Sequence, residues 1–157
     1  MNWDYIAGFF DGEGSIYLGI NKGRNCYTLT TTMYQSKKEV LEIIKFFMIE
    51  EFKKDLKNTL LKDMDINIGL YFTKPREKIN SSGLYSLTLN NKILQKLFFN
   101  HIKEKTVIRN ESISYLLNNF NFINQDMNKN FDINIYRNLY FRLSTSRSKS
   151  IYNNNSM

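Results

Sequence analysis

The spacing of apolar residues along the chain alternates between that of a helix and that of a strand. Residues 4–11 suit a short helix with Asp4, or else Asn2, as its N-cap. Gly12 and Gly14 then flank Glu13 and stop the helix. From Ser15 the period becomes two: Ile16, Leu18 and Ile20 take one face, and Tyr17, Gly19 and Asn21 the other. After a polar turn at 21–25, residues 26–35 read as a second strand. Here Tyr27, Leu29, Thr31 and Met33 alternate with Cys26, Thr28, Thr30 and Thr32. The pair makes a hairpin with one apolar face and one face of small hydroxyls.

A helix follows, with Val40, Leu41, Ile44, Phe47 and Met48 at core spacing. Residues 50–65 are mixed in charge and show no clear period. Ile66, Ile68, Leu70 and Phe72 alternate with Asn67, Gly69, Tyr71 and Thr73 as a third strand, and residues 84–89 make a fourth. The long turn between them, 73–83, carries Lys74, Pro75, Arg76 and Lys78. Asn90 or Asn91 caps a helix with Ile93, Leu94, Leu97 and Phe98 inward, and 107–120 is expected to be another, burying Ile113, Leu116, Leu117 and Phe120. A short helix near 135–143 precedes a tail.

The order is helix, hairpin, helix, hairpin, helix, helix. It predicts an α+β fold with an antiparallel sheet covered by helices on one face. One domain is expected over residues 1–148, with a flexible tail at 149–157.

Charge changes the picture of the uncovered face. The 157 residues carry a net charge of +7, which favours a polyanionic partner, nucleic acid first. Both hairpin tips are basic, and a two-stranded ribbon fits the major groove. No stretch approaches the roughly 18 apolar residues of a membrane span. Asp4, Asp11 and Glu13 break up any N-terminal leader, so no membrane partner is expected. The single Cys26 and single His101 exclude a zinc site and a disulfide, so any bound metal is a hard cation on oxygen ligands. Richness in Asn, Lys, Ile, Phe and Tyr is the coding bias of AT-rich genomes, which suggests a mitochondrion or chloroplast.

The candidate chemistry lies in the first helix. Gly8 and Gly12 lie four apart and share a face, with Ala7 and Asp11 beside them, so a second helix can approach closely. Glu13 ends the same helix. Alone it is a solvated acid in a turn; two copies brought together would form a metal site.

The run Ile6-Ala7-Gly8-Phe9-Phe10-Asp11-Gly12-Glu13-Gly14-Ser15 resembles the LAGLIDADG motif of homing endonucleases, in the form ending D-G-E-G-S. No second copy appears, so the resemblance is to the single-motif branch, whose members act as homodimers. It implies an αββαββα core with a saddle-shaped sheet facing DNA and extra C-terminal helices. It further implies a site-specific double-strand endonuclease that cuts across the minor groove with metal-bound water and leaves short 3′ overhangs. The cofactor implied is Mg²⁺ or another divalent cation such as Mn²⁺, and the target a long, roughly pseudo-palindromic duplex. Glu13 is then catalytic and holds metal together with the Gly12 carbonyl. Gln35 orders water, and Lys103, or Lys105 one turn-step later, supplies a cation. Ile6, Ala7, Gly8, Asp11 and Gly12 form the dimer interface. DNA contacts fall to Tyr17, Gly19, Asn21, Thr28, Thr30, Thr32, Tyr71, Thr73 and Ser86 on the strands, and to Lys22, Arg24, Lys74, Arg76 and Lys78 at the tips. The alternatives are an intron RNA maturase and a catalytically silent DNA-binding protein of the same fold.

Overall fold

The computed structural model describes residues 1–21, 23, 26–74, 83–123 and 132–152, with side chains in the last stretch described as far as Leu143. The elements run α1 (Trp3–Glu13), β1 (Gly14–Asn21), β2 (Cys26–Gln35), α2 (Lys38–Leu56), β3 (Gly69–Thr73), β4 (Leu84–Leu89), α3 (Lys92–Ile102), α4 (Asn110–Asn118), α5 (Phe120–Ile123) and α6 (Ile133–Tyr152). The first seven give the expected αββαββα order. All strand pairs are antiparallel, in the order β1-β2-β4-β3.

Several boundaries differ from expectation. Asn2 caps α1, accepting from the Tyr5 amide at 2.9 Å, while the Asp4 side chain turns to Lys105. α1 continues through Glu13, with the Gly14 amide closing on the Phe10 carbonyl. α2 absorbs half of the unassigned 50–65 stretch. Its mixed charges there are i,i+3 pairs, Glu50 with Lys53 and Glu51 with Lys54, which suit a helix surface. α4 begins at Asn110 rather than 107, leaving Val107 and Ile108 in the preceding loop. α6 runs on to Tyr152, past the expected start of the tail.

The core lies between one sheet face and the helices. Ile16, Leu18, Tyr27, Leu29, Met33, Leu87 and Leu89 meet Ile6, Phe10, Leu41, Ile44, Leu94, Phe98 and Phe99, all buried. Trp3 ties the start of α1 to its neighbours. Its ring stacks on His101 at 4.2 Å, and His101 in turn contacts Asp55 at 2.7 Å. α6 packs along edge strand β1. Among the described residues no helix is long and apolar enough to cross a membrane.

The inward face of α3 is Leu94, Gln95, Phe98, Phe99 and Ile102, while Ile93 is exposed. Gln95 is fully buried at the end of the β2–β4 ladder, whose last pair is Thr31 with Leu89. Its amide nitrogen donates to the Leu29 carbonyl at 2.6 Å and the Leu89 carbonyl at 2.7 Å. Gln95→Leu removes both bonds from the protein interior. It is expected to destabilise the fold by about 2 kcal/mol, given about 1–3 kcal/mol for a buried group left unpaired, measured by urea unfolding.

Candidate active site and nucleic-acid interface

α1 buries Trp3, Ile6, Ala7 and Phe10 and leaves Asp4, Tyr5, Gly8, Gly12 and Glu13 exposed. Ile6 and Ala7, expected on a dimer face, are therefore core residues: neither has any exposed surface to offer a second chain. Gly8 and Gly12 are different. A Cβ built on either meets no atom within 4 Å. Nothing among the described residues demands glycine at these positions, yet glycine weakens a helix interior by about 1 kcal/mol relative to Ala. Gly14 has an internal reason, because its Cβ would overlap the Phe10 ring, with Cε2 at 2.6 Å.

The end of α1 is clamped from both sides by residues close together in the chain. Asp11, expected at the dimer interface, turns toward the loop before α4. Its Oδ2 accepts from the Val107 amide at 2.7 Å and the Ile108 amide at 3.2 Å. Arg109, 2% exposed, donates from its guanidinium to the Gly14 carbonyl at 2.6 Å and lies over the Phe10 ring at 5.2 Å. Glu13 is exposed between these two anchors.

The β1–β2 register pairs Gly14 with Met33, so Gln35 lies one residue past the position that faces Glu13. The two are thus brought to the same end of the sheet. The Gln35 Oε1 accepts from the Ser36 amide at 2.8 Å and the Ser36 hydroxyl at 3.1 Å, which leaves its NH₂ group directed elsewhere. Lys103 follows α3, and its ammonium lies 3.7 Å from Glu104. Lys105 is not at this end: its ammonium is held by Asp4 at 2.5 Å. Asp4 and Glu13 are separated by about 13 Å of helix rise, so Lys105 is excluded from the Glu13 site.

Arg109 is the functional candidate that the sequence reading missed. The expected helix at 107–120 encloses Arg109 and leaves Lys103 and Lys105 as the basic residues before it. With α4 starting at Asn110, the basic residue directly before the helix is Arg109.

Among the described residues no group of three or more His, Cys, Asp or Glu side chains converges. One chain offers an exposed carboxylate, Glu13, and the C-terminal carbonyls of α1, including Gly12, at the negative end of the helix dipole. These are hard oxygen donors of the kind a divalent cation takes, but too few to hold one.

The sheet face opposite the helices carries every strand residue expected to meet DNA. The register aligns Tyr17 with Thr30, Gly19 with Thr28, Asn21 with Cys26, Thr32 with Thr88, and Tyr71 with Ser86. Tyr17, Tyr71, Thr73 and Lys74 are exposed; Asn21, Thr28 and Thr30 are half-buried. Gly19, Thr32 and Ser86 share the face but are buried, so they present little surface of their own. Ser15, Cys26, Tyr34, Leu84 and Thr88 also belong to it and follow from the same alternation. The last helix packs beside β1, and burial, together with the neighbouring Tyr17 and Tyr140 phenols, pushes the Tyr136 hydroxyl up. Lys22, Arg24, Arg76 and Lys78 lie outside the described residues.

No family model matches the chain, and no characterised protein matches it in sequence. Solved structures do match its fold. The archaeal intron-encoded homing endonuclease I-Vdi141I, complexed with DNA, aligns with a TM-score of 0.56 at 16% identity, covering 92% of this chain and 82% of that one. The homing endonuclease I-CvuI, in complex with a target in 2 mM Mg and with the DNA not cleaved, aligns at 0.51 and 10% identity over 92% and 78%. The LAGLIDADG meganuclease I-AabMI, bound to uncleaved DNA, aligns at 0.51 and 18% identity over 88% of this chain and 42% of that one.

The chain has the LAGLIDADG homing-endonuclease fold. α1, whose sequence resembles the motif, is the first element of that fold, and the αββαββα order and antiparallel sheet follow it. At these identities the likeness is one of architecture.

Proposed function

We propose that the protein is a homodimeric, divalent-metal-dependent, site-specific DNA endonuclease of the LAGLIDADG family. The observation that carries this reading is the pair Gly8 and Gly12. They are open on the surface of a helix that ends in an exposed acid, with no reason among the described residues to be glycine. A second copy of α1 against them supplies the reason and brings a second Glu13 to the axis. The two Glu13 carboxylates and the Gly12 carbonyls would hold Mg²⁺ or Mn²⁺. A cation held there would supply activation of a water and stabilisation of the phosphodiester's leaving oxygen. The Gln35 NH₂ orders water at that end of the sheet, and Lys103 is the proposed cation near the scissile phosphate. Arg109 and Asp11 fix the backbone on either side of Glu13.

The sheet face enters the major groove of a long, roughly pseudo-palindromic duplex, with cleavage across the adjacent minor groove and short 3′ overhangs. Thr73 and Lys74 meet backbone or base edges near one hairpin tip, with Lys22, Arg24, Arg76 and Lys78 supplying further phosphate contacts. An organellar home is part of the same reading and rests on composition alone.

Incubation with a library of randomised duplexes in Mg²⁺ tests the activity. Recovery of products cut on both strands with 3′ extensions is expected; sequence-selective binding without any cut, in Mg²⁺ and in Mn²⁺, refutes the nuclease. The dimer has its own test. Gly8→Leu finds open space in the single chain and improves helix propensity, so the monomer keeps its melting temperature. Sedimentation should show the dimer weakened by at least about thirtyfold, and a strictly monomeric wild-type protein would remove the composite site.

A further inference from the structure

The two exposed tyrosines of the open sheet face adopt the same unusual posture. Side chains in strands ordinarily stand roughly perpendicular to the sheet. Tyr17 instead lies along β1 over Gly19: a Cβ built on Gly19 would be 2.7 Å from the Tyr17 Cε1 and 2.8 Å from its hydroxyl oxygen. Tyr71 lies along β3 over Gly69, where a Cβ would be 2.5 Å from the hydroxyl oxygen and 2.6 Å from Cζ. In both cases the ring occupies the space a side chain would fill. β1 and β3 are the two edge strands, so one ring lies at each margin of the face. The strands between them carry short hydroxyl side chains: Thr28 and Thr30 on β2 beside the first ring, Ser86 and Thr88 on β4 beside the second. The residues opposite the two glycines are Thr28 and Thr88, so each ring lies next to a threonine. Both rings keep more than half of their surface open.

We infer that Gly19 and Gly69 are positioning residues for base readout: each seats a tyrosine flat on an edge strand, and the seat determines which bases that tyrosine selects. The inference rests on the proposed DNA-binding reading of this face. A flat ring presents its π-face to the groove and holds its hydroxyl low, beside the neighbouring threonine. A Cβ at residue 19 or 69 would lift the ring. An upright tyrosine would project its hydroxyl farther into the groove and meet a different donor or acceptor on the base edges. The atoms that must give way belong to the free end of a side chain, so Gly19→Ala and Gly69→Ala should fold normally.

The test is selection from random-sequence duplex DNA in Ca²⁺ by wild type, Gly19→Ala, Tyr17→Ala and the double variant, followed by sequencing. The same set is made for Gly69 and Tyr71. Each glycine variant is expected to keep the wild-type melting temperature. It should change base preference by about tenfold, the scale of a single good base contact, at the same target positions that its tyrosine variant alters. The double variant should select as the tyrosine variant alone does, because the glycine acts only through the ring. A Gly19→Ala and Gly69→Ala profile identical to wild type overturns the inference while leaving the DNA-binding reading intact. So does a double variant that differs from the tyrosine variant. A wild-type protein that selects no sequence overturns both.

Discussion

Glu13→Gln is expected to reduce double-strand cleavage on the order of 10³-fold, the scale of losing a principal electrostatic stabiliser of a transition state. Binding to the selected duplex should stay within a few-fold of wild type. The reasoning is local. Glu13 is exposed at the last position of α1 and makes no hydrogen bond or ion pair with the other described residues, so its charge does no structural work among them. Glutamine keeps the size and removes the charge, which separates loss of a metal ligand from loss of fold. Gel-based cleavage in Mg²⁺ and filter binding in Ca²⁺ measure the two quantities. A variant that cuts at the wild-type rate takes Glu13 out of the site and leaves the dimer axis without its acid.

Arg109→Met is the second large effect. Methionine fills most of the arginine's volume but cannot donate, so the Gly14 carbonyl loses a 2.6 Å bond in a buried setting. That is expected to destabilise the fold by about 1–3 kcal/mol. The effect on cleavage should be larger than stability explains. Glu13 is adjacent to Gly14, and a displacement of about 1 Å at a reacting group can cost on the order of 10²-fold. Arg109→Lys keeps a donor and a charge and should recover part of the rate. The informative comparison is single-turnover cleavage at saturating protein and a temperature where both variants are fully folded. If Arg109→Met cuts as fast as wild type there, the arginine serves the fold alone.

Much of the architecture was legible because period and punctuation agreed. The alternation in 15–21 and 26–35 fixed which residues share a face, and the register later paired them in that arrangement. The strand residues expected at the DNA face all lie on it for the same reason. What alternation could not show was how much of each residue stays uncovered. Thr32, Ser86 and Gly19 are on the right face and nevertheless buried, Gly19 because the Tyr17 ring lies over it.

The misassignments around α1 have a common cause. Small residues at helical spacing mark a face suited to close approach, but spacing alone does not distinguish approach by the chain's own core from approach by another molecule. Ala7 is packed into the chain's own core, whereas Gly8 lies open at the surface. Arg109 was overlooked because α4 starts at Asn110, three residues later than the expected 107, which brings Arg109 directly before the helix. That start is set by Asp11 holding the Val107 and Ile108 amides, a contact between distant parts of the chain. Gln95 was invisible for a related reason: a glutamine on an amphipathic helix reads as surface until two neighbouring strands supply carbonyls for it.

The clamp on α1 also bears on when the protein can act. Asp11 and Val107 are 96 residues apart, and Gly14 and Arg109 are 95 apart. During synthesis at roughly 5–20 residues per second, the motif helix leaves the ribosome several seconds before the segment that secures its acidic end. For that interval the nascent chain carries Glu13 without the contacts that hold its backbone. Chains that stop short of residue 107 never acquire them. If Glu13 acts as proposed, a fragment that ends before residue 107 would fold its first helix without the two contacts that secure the acid, so competence would be tied to synthesis past Arg109.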